Sequence, residues 1–177
     1  MLALDPKDDL WVFAYGSLMW NPGFEYAESA PATLYGYHRS LCIYSRIYRG
    51  TAERPGLVLG LDRGGACRGL AYRVPALGAA EAFDYLERRE RSRGEYVPRR
   101  CPLHLKGRVV SALCYIANRA HYDYARGLGL NEMAPLIRRG TGRHGRNVDY
   151  LANTLRHLED LGVHDPRLTQ LLEVVRG

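Results

Sequence analysis

The sequence predicts an α+β fold. Strand-like runs fill most of the first 117 residues, one amphipathic helix interrupts them, and helical periodicity takes over from His121 onward. Strands first and helices last is not the alternating pattern that builds a parallel βαβ sheet. There is no internal repeat and no low-complexity linker, and 177 residues suit one domain, 1–177. A chain of that size buries roughly 70% of its unfolded surface on folding, so its core needs no staples.

Each element has its own signal. Residues 10–15, LWVFAY, are an apolar and aromatic run broken by Gly16, a strand entering a loop. Asn21-Pro22-Gly23 is a turn signal directly after it. Residues 33–48, rich in Tyr, Ile, Leu and Thr, read as one long strand bent at Gly36. Residues 57–62 and 66–74 read as two strands of a hairpin closed by Arg63-Gly64-Gly65. From Gly78 to Arg91 the period changes. Ala79, Ala82, Phe83 and Leu86 fall at i, i+3, i+4 and i+7, the apolar stripe of a helix. Residues 95–105 and 108–117 form a second hairpin around Lys106-Gly107, with Ser111, Leu113 and Tyr115 on one face and Ala112, Cys114 and Ile116 on the other. Helices follow near 131–139, 146–161 and 166–175, the last opened by Asp165 as N-cap and Pro166 at the first helical position.

Hydrophobic residues make up 46% and charged residues 25% of the chain, a globular balance that excludes wholesale disorder, collagen and a membrane protein. The net charge is +6, from 25 Lys+Arg against 19 Asp+Glu. Lys7 and Lys106 are the lysines and every other cation is an arginine. Such an excess fits nucleic acid, acidic small molecules or codon bias. The opening MLALDPKDDLWVFAYG lacks the basic and apolar regions of a signal peptide, and no stretch reaches the ~18 apolar residues of a membrane span. Cys42, Cys67, Cys101 and Cys114 are widely spaced, and a cytoplasmic location with reduced thiols is the expectation. The six histidines form no H-E-x-x-H and no zinc spacing, so no metal is expected.

Residues 140–145, GTGRHG, satisfy G-x-G-x-x-G, yet a helix-like segment precedes them and no second strand follows. The dinucleotide fingerprint requires a strand to deliver the loop and a helix to receive the pyrophosphate. The motif is therefore read as a flexible turn with solvated arginines, and no nucleotide cofactor is expected.

Two stretches carry chemistry. Tyr15-Gly16-Ser17-Leu18 follows the first strand, where a glycine lets backbone N–H groups converge on an anion. Taken alone, it is equally an ordinary strand-to-turn connection. The Tyr85–Tyr96 segment places Glu87 and Glu90 at i, i+3 on a helix surface among arginines. For an anonymous helix that is a solvated ion-pair face, each pair worth ~0–1 kcal/mol.

Together these stretches resemble the ChaC family. Tyr15–Phe24 is similar to its "YGSLxWxPxF" signature. Gly36-Tyr37-His38-Arg39 and Tyr48-Arg49-Gly50-Thr51 resemble its next block, and Arg54-Pro55-Gly56-Leu57-Val58 its "PGxV" segment. Gly69–Val74 matches "GxAYRV", and Tyr85-Leu86 with Arg89-Glu90 matches "YLxxRE". Gly142, Gly145, Arg146-Asn147 and Asp149-Tyr150-Leu151 resemble the terminal "GxxGxNxxYL" block. The resemblance runs from about residue 11 to 160. It departs at Leu41–Ser45, where some members carry Trp, and at residues 91–95, RSRGE, where relatives often show a Gly-Gly pair.

The resemblance implies a γ-glutamylcyclotransferase-like fold, a mixed and partly closed β-sheet or barrel with a central helix and C-terminal helices. It implies a glutathione-specific γ-glutamylcyclotransferase, a lyase that converts glutathione to 5-oxoproline and cysteinylglycine without metal or cofactor. Glu90 matches the catalytic glutamate, a general base that becomes the general acid. A free glutamate titrates near ~4.3, so Glu90 is expected to point into an apolar pocket that raises its pKa, with Glu87 left wet. Tyr15, Gly16, Ser17 and Leu18 would hold the glutamyl α-carboxylate. Tyr96 and Tyr115 would line the pocket, and Arg39 or Arg49 would pair with the substrate's glycine carboxylate. A monomer with a small-molecule substrate, no nucleic acid and no membrane is expected. The alternatives are a cyclotransferase for another γ-glutamyl amine, an arginine-rich RNA-binding module, or a non-catalytic regulator.

Overall fold

The computed structural model of the protein describes residues 5–91 and 93–177. The first four residues of the N-terminal stretch and Ser92 of the 91–95 segment lie outside the described residues. The elements in order are β1 (Leu10–Ala14), a 3-10 turn (Ser17–Met19), β2 (Glu28–Ser45), β3 (Gly56–Val74), α1 (Ala76–Glu90), β4 (Tyr96–Leu105) and β5 (Arg108–Ala117). Then come α2 (Leu130–Arg139), the two-residue strands β6 (Thr141–Gly142) and β7 (Gly145–Arg146), α3 (Asn147–Asp160) and α4 (Pro166–Arg176).

The long strands close into a barrel in the order β1-β3-β2-β4-β5, a mixed sheet, as the family resemblance implied. β1 is antiparallel to β3, with Val12 opposite Tyr72, and parallel to β5, with Trp11 opposite Ala112. A strand flanked on both edges and buried at Val12, Phe13 and Ala14 has to be a continuous apolar run, which LWVFA is. β4 and β5 form the expected hairpin, Tyr96 to Leu105 pairing with Ala117 to Arg108.

The 57–74 hairpin is a correction. β3 is one 19-residue strand lying between β1 and β2. Gly64 and Gly65 do take left-handed φ values of 100° and 71°, but the chain continues through them instead of reversing. Gly36 in β2, at φ 84°, supplies the expected break in extended backbone there.

The chain divides into two compact units. One holds the chain through Arg39 together with Leu61–Asn118. It contains β1, α1 and the β4–β5 hairpin, and α1 buries Ala79, Ala82 and Leu86. The other holds Ser40–Gly60 and Arg119–Gly177. In this second unit α2, α3 and α4 bury Ile137, Leu151, Leu158, Leu168 and Leu171. Asp165 caps α4 as expected, accepting from the Leu168 N–H at 3.2 Å. The 140–145 segment is a packed hairpin rather than a loose turn. The N–H groups of Arg143 and His144 donate to the Ile47 and Tyr48 carbonyls at 2.8 and 2.9 Å. A Cβ on Gly142 would stand 2.5 Å from the Ile47 oxygen, so glycine there permits backbone-to-backbone approach.

Candidate active site

The Tyr15–Leu18 stretch leaves β1 and folds at once into the 3-10 turn, closed by Met19 N–H to Gly16 O at 2.8 Å. The N–H groups that open such a turn precede its first internal bond and point away from it. Tyr15, Gly16 and Leu18 are buried while Ser17 is exposed. Three supports fix this turn. Tyr72 on β3 donates its hydroxyl to the Met19 carbonyl at 2.7 Å, and burial pushes that hydroxyl's pKa up to about 12. Gly69 lies under the end of β1, where a Cβ would collide with the Ala14 carbonyl and the Phe13 ring. Arg39, 5% exposed, donates Nε to the Tyr15 carbonyl and Nη2 to the Arg68 carbonyl, each at 2.6 Å.

That placement corrects the expectation for Arg39. Its guanidinium braces the backbone beneath the turn and is not presented to a substrate carboxylate. Arg49 lies in the other unit, donating to the His144 carbonyl with its guanidinium 4.9 Å from the Tyr150 ring centre. Partial burial lowers its pKa.

Across from the turn stands the C-terminal end of α1. Glu90 is its last residue, with a side chain 16% exposed. Burial raises its pKa, opposed by Arg89, whose Nε lies 3.2 Å from Oε1. Glu90 is thus largely buried, and the contact its carboxylate makes is with the Arg89 guanidinium. Glu87 is not left wet. Its Oε1 accepts the Tyr115 hydroxyl at 2.9 Å and its Oε2 pairs with Arg91 at 2.5 Å. Tyr115 is 1% exposed, and its own pKa is driven above the ordinary range by burial, the bond to Glu87 and the charges of Glu87 and Glu90. Tyr96 pairs with Ala117, two positions from the Tyr115–Pro98 pair, so the two tyrosines lie diagonally on one sheet face. Tyr96 is half-buried.

Sequence reasoning missed Tyr72 and Arg89. Arg89 Nη2 donates to Ser17 Oγ at 3.0 Å, and Nη1 donates to the Asn21 carbonyl at 2.8 Å and to the Tyr85 hydroxyl at 2.9 Å. The signal for Arg89 was its place beside Glu90 in the "YLxxRE" block, and for Tyr72 an aromatic at the centre of the "GxAYRV" strand. Among the described residues no group of His, Cys, Asp and Glu is arranged to hold a metal ion.

A largely buried carboxylate, held beside an arginine that also reaches the Ser17 hydroxyl, is a group that can take up and return one proton. The fold that carries them is the γ-glutamylcyclotransferase fold. The solved structure of a γ-glutamyl cyclotransferase specific to glutathione from yeast superposes with a TM-score of 0.85 at 24% identity, over 95% of this chain and 96% of that one. The family model described as ChaC-like protein matches residues 10–177, and the chain belongs to that family. It is 40% identical to the glutathione-specific γ-glutamylcyclotransferase of Escherichia coli (strain K12), over 99% of this chain and 77% of the relative. Identity is 33% to the enzyme of that name in Schizosaccharomyces pombe, over 89% and 88%, and 30% to glutathione-specific γ-glutamylcyclotransferase 1 of Homo sapiens, over 97% and 80%.

Proposed function

We propose that this protein is a glutathione-specific γ-glutamylcyclotransferase, releasing 5-oxoproline and cysteinylglycine. The observation that carries the reading is the buried, pKa-raised carboxylate of Glu90 at the end of α1, joined through Arg89 to the Ser17 turn. The α-amine of the γ-glutamyl group attacks its own γ-carbonyl carbon, forming the lactam C–N bond. The bond from that carbon to the cysteine nitrogen then breaks. Ionised Glu90 accepts the proton that the α-ammonium must lose and, now neutral, delivers it to the departing nitrogen. The second proton that attack leaves on the ring nitrogen follows the same route, so the lactam is released neutral and the dipeptide as its ammonium. No water is consumed and the enzyme ends as it began.

The chain's own residues supply binding and geometry. The N–H groups opening the Ser17 turn, with the Ser17 hydroxyl, take the α-carboxylate. Tyr115 and Tyr96 line the side of the pocket facing the γ-carbonyl. Because the attack is intramolecular, the protein's gain lies in holding the bent rotamer and in stabilising the developing oxyanion. The whole 1–177 stretch is taken as one working domain, since each unit is assembled from two separate chain segments. A monomer suffices, all these residues coming from one chain. Its four free thiols suit the cytosol. No helix among the described residues is long and apolar enough to cross a membrane.

The test is 5-oxoproline release by Glu90→Gln beside Glu87→Gln. Glu90→Gln is expected to lose at least ~10²-fold in rate, the size of a general acid/base contribution. Activity within a few-fold of wild type removes Glu90 from the mechanism, and a comparable loss only in Glu87→Gln transfers the role to the other carboxylate.

A further inference from the structure

We propose that Arg89 is a positioning residue for the cyclisation, a single guanidinium that sets the place of the Glu90 carboxylate relative to the turn opening at Ser17. This rests on the cyclotransferase reading of that site. Nε faces Glu90 Oε1 at 3.2 Å and Nη2 donates to Ser17 Oγ at 3.0 Å, while Nη1 reaches the Asn21 carbonyl and the Tyr85 hydroxyl. Asn21 and Pro22 are the residues that leave the turn, and the Pro22 carbonyl also lies 3.4 Å from Nη1. A cation placed at a helix C-terminus only to meet the helix dipole would need none of these contacts. Arg88, one position earlier and equally well placed for the dipole, is exposed.

The planar fork makes these bonds simultaneously, which a lysine ammonium on a flexible stem does not. The two roles of Arg89 are thereby separable. Its shape ties the turn to the helix, and its charge opposes the burial that raises the Glu90 pKa. The other groups around that carboxylate are Tyr115 on β5 and, on α1, Glu87 bonded to Tyr115 and Arg91. Arg91 is paired to Glu87, and among the described residues Arg89 is the cation recorded in contact with Glu90.

The experiment compares Arg89→Lys and Arg89→Gln with wild type in two readouts. The first is the pH profile of kcat and of KM for glutathione. The second is carboxyl titration by NMR on 13C-glutamate-labelled protein, the Glu90 signal being assigned by its loss in Glu90→Gln. Arg89→Lys keeps the charge, so its acid limb and Glu90 titration stay near wild type while KM rises severalfold. Arg89→Gln loses both roles. Its acid limb and Glu90 titration move up by on the order of one pH unit, as expected on removing an opposite charge within ion-pair distance, and kcat at neutral pH falls. An unmoved Glu90 titration in Arg89→Gln overturns the proposal. If Arg89→Gln does not fold, Arg89→Lys with unchanged KM and kcat overturns it. Should wild type release no 5-oxoproline, the cyclotransferase reading falls by itself, and the titration still decides whether Arg89 governs Glu90.

Discussion

Glu90 is a carboxyl group whose surroundings oppose its charge. The carbonyl end of α1 disfavours an anion, burial removes its hydration, and Arg89 pulls the other way. Its folded pKa therefore lies above the unfolded value, which means the folded state favours the neutral carboxyl. The stability this contributes is present below the unfolded pKa, near ~4.3, and is lost as pH rises through the folded pKa. Glu90→Gln, neutral at every pH, is expected to melt at a higher temperature than wild type at pH 7, with the gap closing by pH 4. Thermal melts across that range check this, and a less stable Glu90→Gln at pH 7 would contradict it. How this residue stands out was visible only in part. The i, i+3 spacing put Glu87 and Glu90 on neighbouring positions but could not say which turns inward. The family motif singled out position 90, while the bond from Tyr115, a residue 28 positions away, keeps Glu87 from being wet. Arg39 illustrates the opposite error. A guanidinium fork fits a carboxylate, but two backbone carbonyls satisfy it as well, and only the fold shows which partner is there.

At the scale of elements, local composition gave the helices and the β4–β5 hairpin within a residue or two, and failed where a distant strand decides. Arg63-Gly64-Gly65 has turn composition and even left-handed backbone, yet β3 runs on through it, lying between β1 and β2 in the barrel. Strand preference depends on such neighbours, which no window of sequence contains. The GTGRHG segment was rejected as a nucleotide loop for want of a strand before it, and the structure gives its glycines another use, close packing against residues 47–50. In the same unit, α3 starts on a buried side chain whose purpose the sequence hid. Asn147 accepts from the Leu57 N–H at 2.7 Å and donates to the Leu57 carbonyl at 2.8 Å, so its amide acts as one rung of a sheet for the start of β3. Asn147→Ala leaves two buried backbone groups unsatisfied. At about 1–3 kcal/mol per group, a loss of about 2–6 kcal/mol is expected in urea unfolding. A change below about 0.5 kcal/mol, the range of ordinary surface substitutions, would show that water or a shifted backbone replaces the amide.

Over the whole molecule the arginines prove to be fasteners. Arg46 pairs with buried Asp123, Arg73 joins Asp9 and Glu28, Arg108 also meets Glu28, and Arg138 donates to the last carbonyls of α4. These four, with Arg39, Arg49 and Arg89, are bonded within the chain. Charge, the most conspicuous feature of the composition, said least about function. Six short blocks in a fixed order said most, because each meets a demand of the fold or site: Gly69 the crowding under β1, Tyr72 the turn, Arg89 and Glu90 the helix end. The central claim is that this assembly cyclises the γ-glutamyl group of glutathione. Its most direct test is to incubate the full chain with glutathione, γ-glutamyl-alanine and γ-glutamyl-lysine and to quantify 5-oxoproline, free glutamate and cysteinylglycine. The account predicts 5-oxoproline and cysteinylglycine in equal amounts from glutathione, with the other two substrates left largely intact. Free glutamate in place of 5-oxoproline, or 5-oxoproline from the other substrates but not from glutathione, would contradict it.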